Sequence, residues 1–157
     1  MIMSGADQVT FSKLARYVRV ELPKIADIDV MARAYLRYAQ MNRATLRRAL
    51  KWGNQPTLVF EPMSTASGSF QGGFFIPDIG SNELHINSHL ADAFEAGGPP
   101  RLFTTRNGRG QPFPLIGTSI LHELVHWGDD QDGIDFAGEE GDQFEQDVYG
   151  RAPLPGV

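Results

Sequence analysis

Residues 115–128 read LIGTSILHELVHWG, and this stretch restricts the chain more than any other. Leu115, Ile116, Ile120, Leu121, Leu124 and Val125 cover most of a helical circumference with apolar groups, so the spacing predicts a helix buried in a core. Within it His122, Glu123 and His126 form the pattern HExxH. Residues four apart stand one above the other on a helix, so His122 and His126 can offer two imidazole nitrogens to one ion. Glu123 points to the adjacent side, close enough to take a proton from water activated there but not to bind the ion itself. The expectation is a catalytic zinc centre with Glu123 as general base. The bland alternative is a pair of core histidines bonded to backbone or carboxylates.

A catalytic zinc takes three protein ligands and keeps one position open. The remaining histidines, His85 and His89, precede the motif, and Asp129 stands where an HExxHxxGxxH extension needs glycine. A carboxylate is therefore expected to complete the set. Charge is distributed to match: residues 1–51 balance at +6, residues 52–119 at −2 and residues 120–157 at −9. Asp129 to Asp135 fall in a polar loop. In GEEGDQFEQDVYG, residues 138–150, the inward face of a last helix is marked by Gly141, Phe144, Val148 and Tyr149. A ligand on that face is held rigidly. Glu145, between Phe144 and Val148, is the favoured third ligand, and Glu140 is the second choice. A calcium loop starting at Gly128 is rejected, because a glycine holds its first position and Asp135 its eighth.

The remainder is consistent with one domain of 157 residues. The absence of cysteine excludes a disulfide scaffold, a cysteine-ligated zinc finger, a thiol nucleophile and an iron–sulfur cluster. No apolar run approaches the roughly 18 residues that span a bilayer, and MIMSGADQVTF lacks the pattern of a secretory signal. Helices are predicted over 8–22, ended by Pro23, over 27–40, with Asp27 or Asp29 as cap, and over 43–52, capped by Asn42. Met31, Ala34, Tyr35 and Tyr38 make the inward stripe of the second, with Arg33 and Arg37 off it. Arg43, Arg47 and Lys51 form a basic ridge on the third. Strands are predicted at 57–60, 74–76 and 83–87, the last (ELHIN) alternating with Leu84 and Ile86 on one face. A helix capped by Asn87 or Ser88 follows, then a loop over 101–114 with a short strand at 102–105. Gly128 should stop the buried helix. Helices first, then short strands, then two more helices is an α+β order. A net charge of −5 and the lack of a base-reading motif argue against nucleic-acid binding.

The strings HELVHWGD and GEEGDQFEQDVYG resemble the zincin metallopeptidases, in particular the glutamate-ligand (gluzincin-like) branch. They also resemble the small metallopeptidase toxin domains at the C-termini of bacterial polymorphic toxins and type VI secretion effectors, including those fused to spike proteins. The resemblance is specific over residues 84–150. It implies an α+β, zincin-like fold in a single domain, 1–157: a helical N-terminal part over 1–55, then a small twisted sheet, the HExxH helix and a glutamate helix. It implies Zn2+ held by His122, His126 and Glu145, with Glu123 catalytic. The sheet's edge strand would hold extended substrate, and ELHIN is the candidate for that edge. The partners implied are a protein or peptide substrate, an immunity protein and a delivery (spike) protein, without nucleic acid or membrane. The place of action would be that of a delivered effector, in the periplasm or the target-cell cytoplasm. The thermolysin-like pattern has Asp four residues after the ligand Glu, whereas here Tyr149 follows Glu145. That leaves the partners of the two imidazoles open, and Tyr149 and His85 stand as candidate oxyanion stabilisers. The alternative function is a zinc-containing, non-catalytic binding module with His85 or Glu140 as fourth ligand.

Overall fold

The computed structural model describes residues 1–63, 73–76, 82–97, 102–103, 113–131 and 138–150. The architecture is mixed α+β. In chain order the elements are β1 (Ile2–Met3), α1 (Gly5–Thr10), α2 (Ser12–Val20), a 3-10 helix (Leu22–Asp27), α3 (Asp29–Tyr38), α4 (Arg43–Leu50), β2 (Thr57–Glu61), β3 (Gly73–Phe75), β4 (Glu83–Asn87), α5 (Ser88–Glu95), β5 (Leu102–Phe103), β6 (Phe113–Pro114), α6 (Leu115–Asp130) and α7 (Glu140–Tyr149). No helix of the described residues is long and apolar enough to cross a membrane.

Apolar periodicity accounts for most of the helices. On α3 the stripe Met31, Ala34, Tyr35 and Tyr38 is buried, and Arg33 and Arg37 are exposed. Asn42 caps α4 by accepting a hydrogen bond from the Thr45 N–H at 3.0 Å, which satisfies one of the helix's orphan donors. Asn87 does the same for α5 through His89. Asp27 and Asp29 cap nothing. They pair instead with Arg47 at 2.6 Å and Arg43 at 2.5 Å, so two of the three cations of the α4 ridge are neutralised within the chain.

Three expectations change. The single helix over 8–22 is two, because Phe11 leaves the helical region (φ −115°, ψ 59°) and turns its ring onto Phe60, with centroids 5.2 Å apart. α1 consequently buries no residue, and Val9 stays 82% exposed. The N-terminal part is not purely helical either, since β1 pairs in parallel with β2. Gly128 does not stop α6. It lies inside the helix, where a Cβ would come within 2.6 Å of Met41 Cε and 2.9 Å of Ala39 Cβ. The glycine serves close packing against the end of α3.

The sheet has the order β1-β2-β4-β3, with β1, β2 and β4 parallel and β3 antiparallel. ELHIN is therefore an interior strand, paired on both sides, and among the described residues β1 and β3 are the edges. A strand of alternating pattern reads the same whether it has one neighbour or two, so its position was not visible in the residues. β5 and β6 form a separate antiparallel pair. Leu84 and Ile86 are fully buried on the face that α6 covers. α7 packs across α6 and α3, and Phe144, Val148 and Tyr35 fill that seam.

Candidate metal centre

α6 carries His122, Glu123 and His126, and all three point into the seam closed by α7 and the edge strand β3. His122 is 9% exposed and Glu123 4%. The two imidazoles meet through Nε2, 3.2 Å apart. Glu139 Oε1 stands 2.8 Å from Nε2 of His126 and 3.7 Å from Nε2 of His122. Three donor atoms are thus mutually separated by 2.8–3.7 Å. Bonds of 2.0–2.2 Å in tetrahedral array place ligand atoms about 3.3 Å apart, so this triangle has the size of one face of a zinc polyhedron. The chemistry of the set fits too, with two imidazole nitrogens and one carboxylate oxygen.

The far nitrogens are also engaged, each by its own carboxylate from α7. Glu145 Oε1 lies 3.1 Å from Nδ1 of His122, and Glu140 Oε1 lies 2.6 Å from Nδ1 of His126. Numbering rises along α6 as it falls along α7, so the helices run in opposite directions and one carboxylate serves each histidine. Close approach needs Gly141, where a Cβ would sit 2.5 Å from His122 Nε2 and Cε1. Glu139 is the N-cap residue of α7, and its other oxygen accepts the Asp142 N–H at 2.6 Å. One carboxylate therefore ties the helix terminus to the histidine pair.

The sequence-favoured Glu145 is buried in the seam, but it faces the side of His122 away from His126. With Asp142 and His122 it forms a second, looser group of potential ligands whose atoms lie within 4.8 Å of one another. Glu140 likewise meets the outer nitrogen of His126. The residue that reaches both Nε2 atoms is Glu139, which burial arguments passed over because its side chain is 45% exposed. Its signal was available, however, as a carboxylate at the cap position directly before the last helix.

The charges perturb one another. Burial pushes the Glu123 carboxyl up to about 7, against the opposing pull of His122 and His126. Burial lowers the His126 imidazole, but the hydrogen bond to Glu139, the charge of Glu123 and the bond to Glu140 outweigh it and bring it to about 9. His122 is likewise depressed by burial and raised further by Glu145 and Glu123, ending above its ordinary value. Burial raises Glu139, yet the His126 bond and the Asp142 N–H hold it down at about 2. Glu145 is raised by burial, with His122 opposing.

The edge strand touches the general-base candidate. A Cβ on Gly73 would lie 2.9 Å from Glu123 Cγ and Oε1, so the carboxyl packs against β3 backbone. Gly73 pairs with Ile86, whereas Phe74 pairs with His85. Successive residues of a strand face opposite ways, so His85 is on the other side of the sheet from Glu123. There it bonds Glu61 at 2.5 Å and stacks on Phe74, with ring centroids 4.5 Å apart. It is neither a fourth ligand nor an oxyanion donor at this centre. Tyr149 is walled in by Phe113 and Phe144. Trp127 is buried beside His126, and its indole N–H finds no partner among the described residues.

A family model described as metallopeptidase toxin 3 matches residues 7–150. No curated protein and no solved structure matches the chain.

Proposed function

Because this chain belongs to the metallopeptidase toxin 3 family, we propose that it hydrolyses peptide bonds at a zinc ion held by Nε2 of His122, Nε2 of His126 and the carboxylate of Glu139. The observation that carries this reading is the convergence of those three donor atoms beside a buried Glu123. The ligand set departs from the one favoured by sequence in a single member, Glu139 for Glu145.

Bound zinc supplies a Lewis acid and brings the acidity of a water toward neutrality. Glu145 and Glu140 accept the Nδ1–H of His122 and His126, which fixes both rings in the tautomer whose Nε2 lone pair is free to bind metal. Glu123, with its carboxyl near 7 in the metal-free site, is poised to take a proton from the attacking water. It then returns that proton to the leaving amine. The backbone of β3 beside it is an edge on which an extended peptide can add as a strand. On this reading the mixed α+β fold would be zincin-like. A toxin of this kind acts in a cell other than its maker, as a delivered effector. Type VI secretion by a spike protein is the delivery route implied by the sequence resemblance, with an immunity protein protecting the producer.

The test is a matched set of variants assayed for zinc content, peptidase activity and toxicity on expression. Glu123→Gln should retain one zinc per chain and lose activity and toxicity together. His122→Ala should lose zinc as well. Full toxicity of a folded Glu123→Gln protein would overturn the peptidase reading.

A further inference from the structure

α3 and α7 pack together, and on the outer side of their seam lies a groove of about 280 Å³ lined by Val30, Arg33, Ala34, Arg37 and Asp147. Arg33 and Arg37 are one helical turn apart on α3, and like charges at that spacing repel. Arg37 is partly compensated by Asp147 at 3.1 Å, which also accepts a hydrogen bond from the Tyr38 hydroxyl at 2.7 Å. Arg33 makes no ion pair among the described residues. Its acidic neighbour Asp29 is bound to Arg43 and feels the Arg33 charge only as a smaller influence. Val30 and Ala34 supply the apolar part of the lining. The groove is thus a cationic cleft with an apolar floor, in which Arg33 lies outside any ion pair among the described residues.

We infer that this groove is a docking site for an acidic segment of a partner protein, one that places a Glu or Asp side chain between Arg33 and Arg37 and an apolar side chain against Val30 and Ala34. Asp147 already demonstrates that a carboxylate fits Arg37 here, and a second carboxylate relieves the repulsion between the two arginines. The size suits a side chain, since the volume falls just short of the roughly 300–1,000 Å³ of small-molecule sites. A phosphate backbone suits it less. Asp147 lines the groove, and the neighbouring ridge is interrupted by the Arg43–Asp29 and Arg47–Asp27 pairs, so no continuous cationic track leads away from it among the described residues. Arginine flanked by aliphatic surface is the composition of an interface centre.

The test uses the full zinc-loaded chain and three probes: a capped peptide alternating glutamate and leucine, its glutamine–leucine counterpart, and a single-stranded oligonucleotide of the same length. Binding is followed by amide chemical-shift titration. The glutamate peptide should bind, with shifts confined to α3 and α7 and an affinity that falls with salt. The glutamine peptide should bind at least about tenfold more weakly. Arg33→Ala should weaken the glutamate peptide by a similar factor while leaving zinc content unchanged, and Val30→Ala should weaken it less. The proposal is overturned if the glutamate peptide fails to bind up to about 10 mM, if the glutamine peptide binds equally, or if Arg33→Ala has no effect. It is also overturned if the oligonucleotide binds the groove more tightly than the peptide, which would make the surface one for nucleic acid.

Discussion

Two regions of this molecule hold carboxylates against cationic or potentially cationic groups at nearly the same distances. In the α3–α4 region Arg47 meets Asp27 at 2.6 Å, with the two side chains 57% and 66% exposed. In the α6–α7 seam His126 meets Glu140 at 2.6 Å and His122 meets Glu145 at 3.1 Å, with the glutamates 12% and 3% exposed. Distance alone does not separate them. Burial does. An exposed pair exchanges hydration for a weak, screened attraction and changes stability little. A buried set loses hydration that only good partners replace, and it commonly stabilises less than apolar packing of the same volume. Six ionisable groups gathered in one seam, His122, Glu123, His126, Glu139, Glu140 and Glu145, are therefore difficult to explain as a stability device. The proposed metal centre, which needs two imidazoles held in one tautomer and one orientation, would account for them.

The contrast is broken most severely at Glu123. Glu123→Gln should lower kcat by about 10²–10⁴, the usual contribution of a positioned acid–base group, with zinc retained. Absence of a kcat effect would return the seam to a structural role. Next in size is proton competition for the metal. Because His126 titrates at about 9 in the metal-free centre, a proton must leave before zinc binds. Apparent zinc affinity should rise by at least about tenfold per pH unit below about 9, more steeply where His122 also carries its proton, and flatten above, as read by chelator competition. A flat profile across that window would show that the imidazole carries no such proton.

Smaller effects sharpen the comparison. Glu145→Ala and Glu140→Ala should each weaken zinc binding by about 10–100-fold, since they remove the acceptors that orient the rings. The metal-free protein should show the opposite sign of response at Glu123. Its carboxyl titrates at about 7 when folded against 4.5 as an ordinary glutamate. Folding therefore favours the protonated form, and stability is lost as pH rises from 4.5 through 7. Glu123→Gln removes that loss, so the metal-free variant should be more stable than wild type at pH 8, by roughly 1–3 kcal/mol in urea unfolding, and equal to it at pH 4. The smallest effect belongs to the exposed region. Arg47→Ala should move Tm by no more than about 2–4 °C.

What the residues disclosed and what they hid follow a physical line. Periodicity placed α3, α4 and α6, because a buried stripe at helical spacing has few other uses. ELHIN was legible for the same reason at a period of two. The split at Phe11 was not, since a long-range contact with Phe60 overrides a locally acceptable helix. Nor was the edge position of β3, because Gly73–Phe75 is too short and too glycine-rich to display a pattern. At the site, HExxH specified one helix and two ring positions. The roles of the three glutamates did not follow from it. Glu139, Glu140 and Glu145 differ chiefly in which nitrogen they reach, and that depends on how α7 crosses α6.

The central claim is that the two Nε2 atoms and Glu139 share one ion while Glu145 and Glu140 hold the outer nitrogens. Anomalous diffraction at the zinc edge, on crystals of the zinc-loaded protein, tests it directly. The account predicts a single peak about 2.0–2.2 Å from His122 Nε2, His126 Nε2 and a Glu139 oxygen, with Glu145 and Glu140 on the Nδ1 atoms. A peak bound by Glu145 instead of Glu139, or one that engages only one of the two histidines, would contradict it.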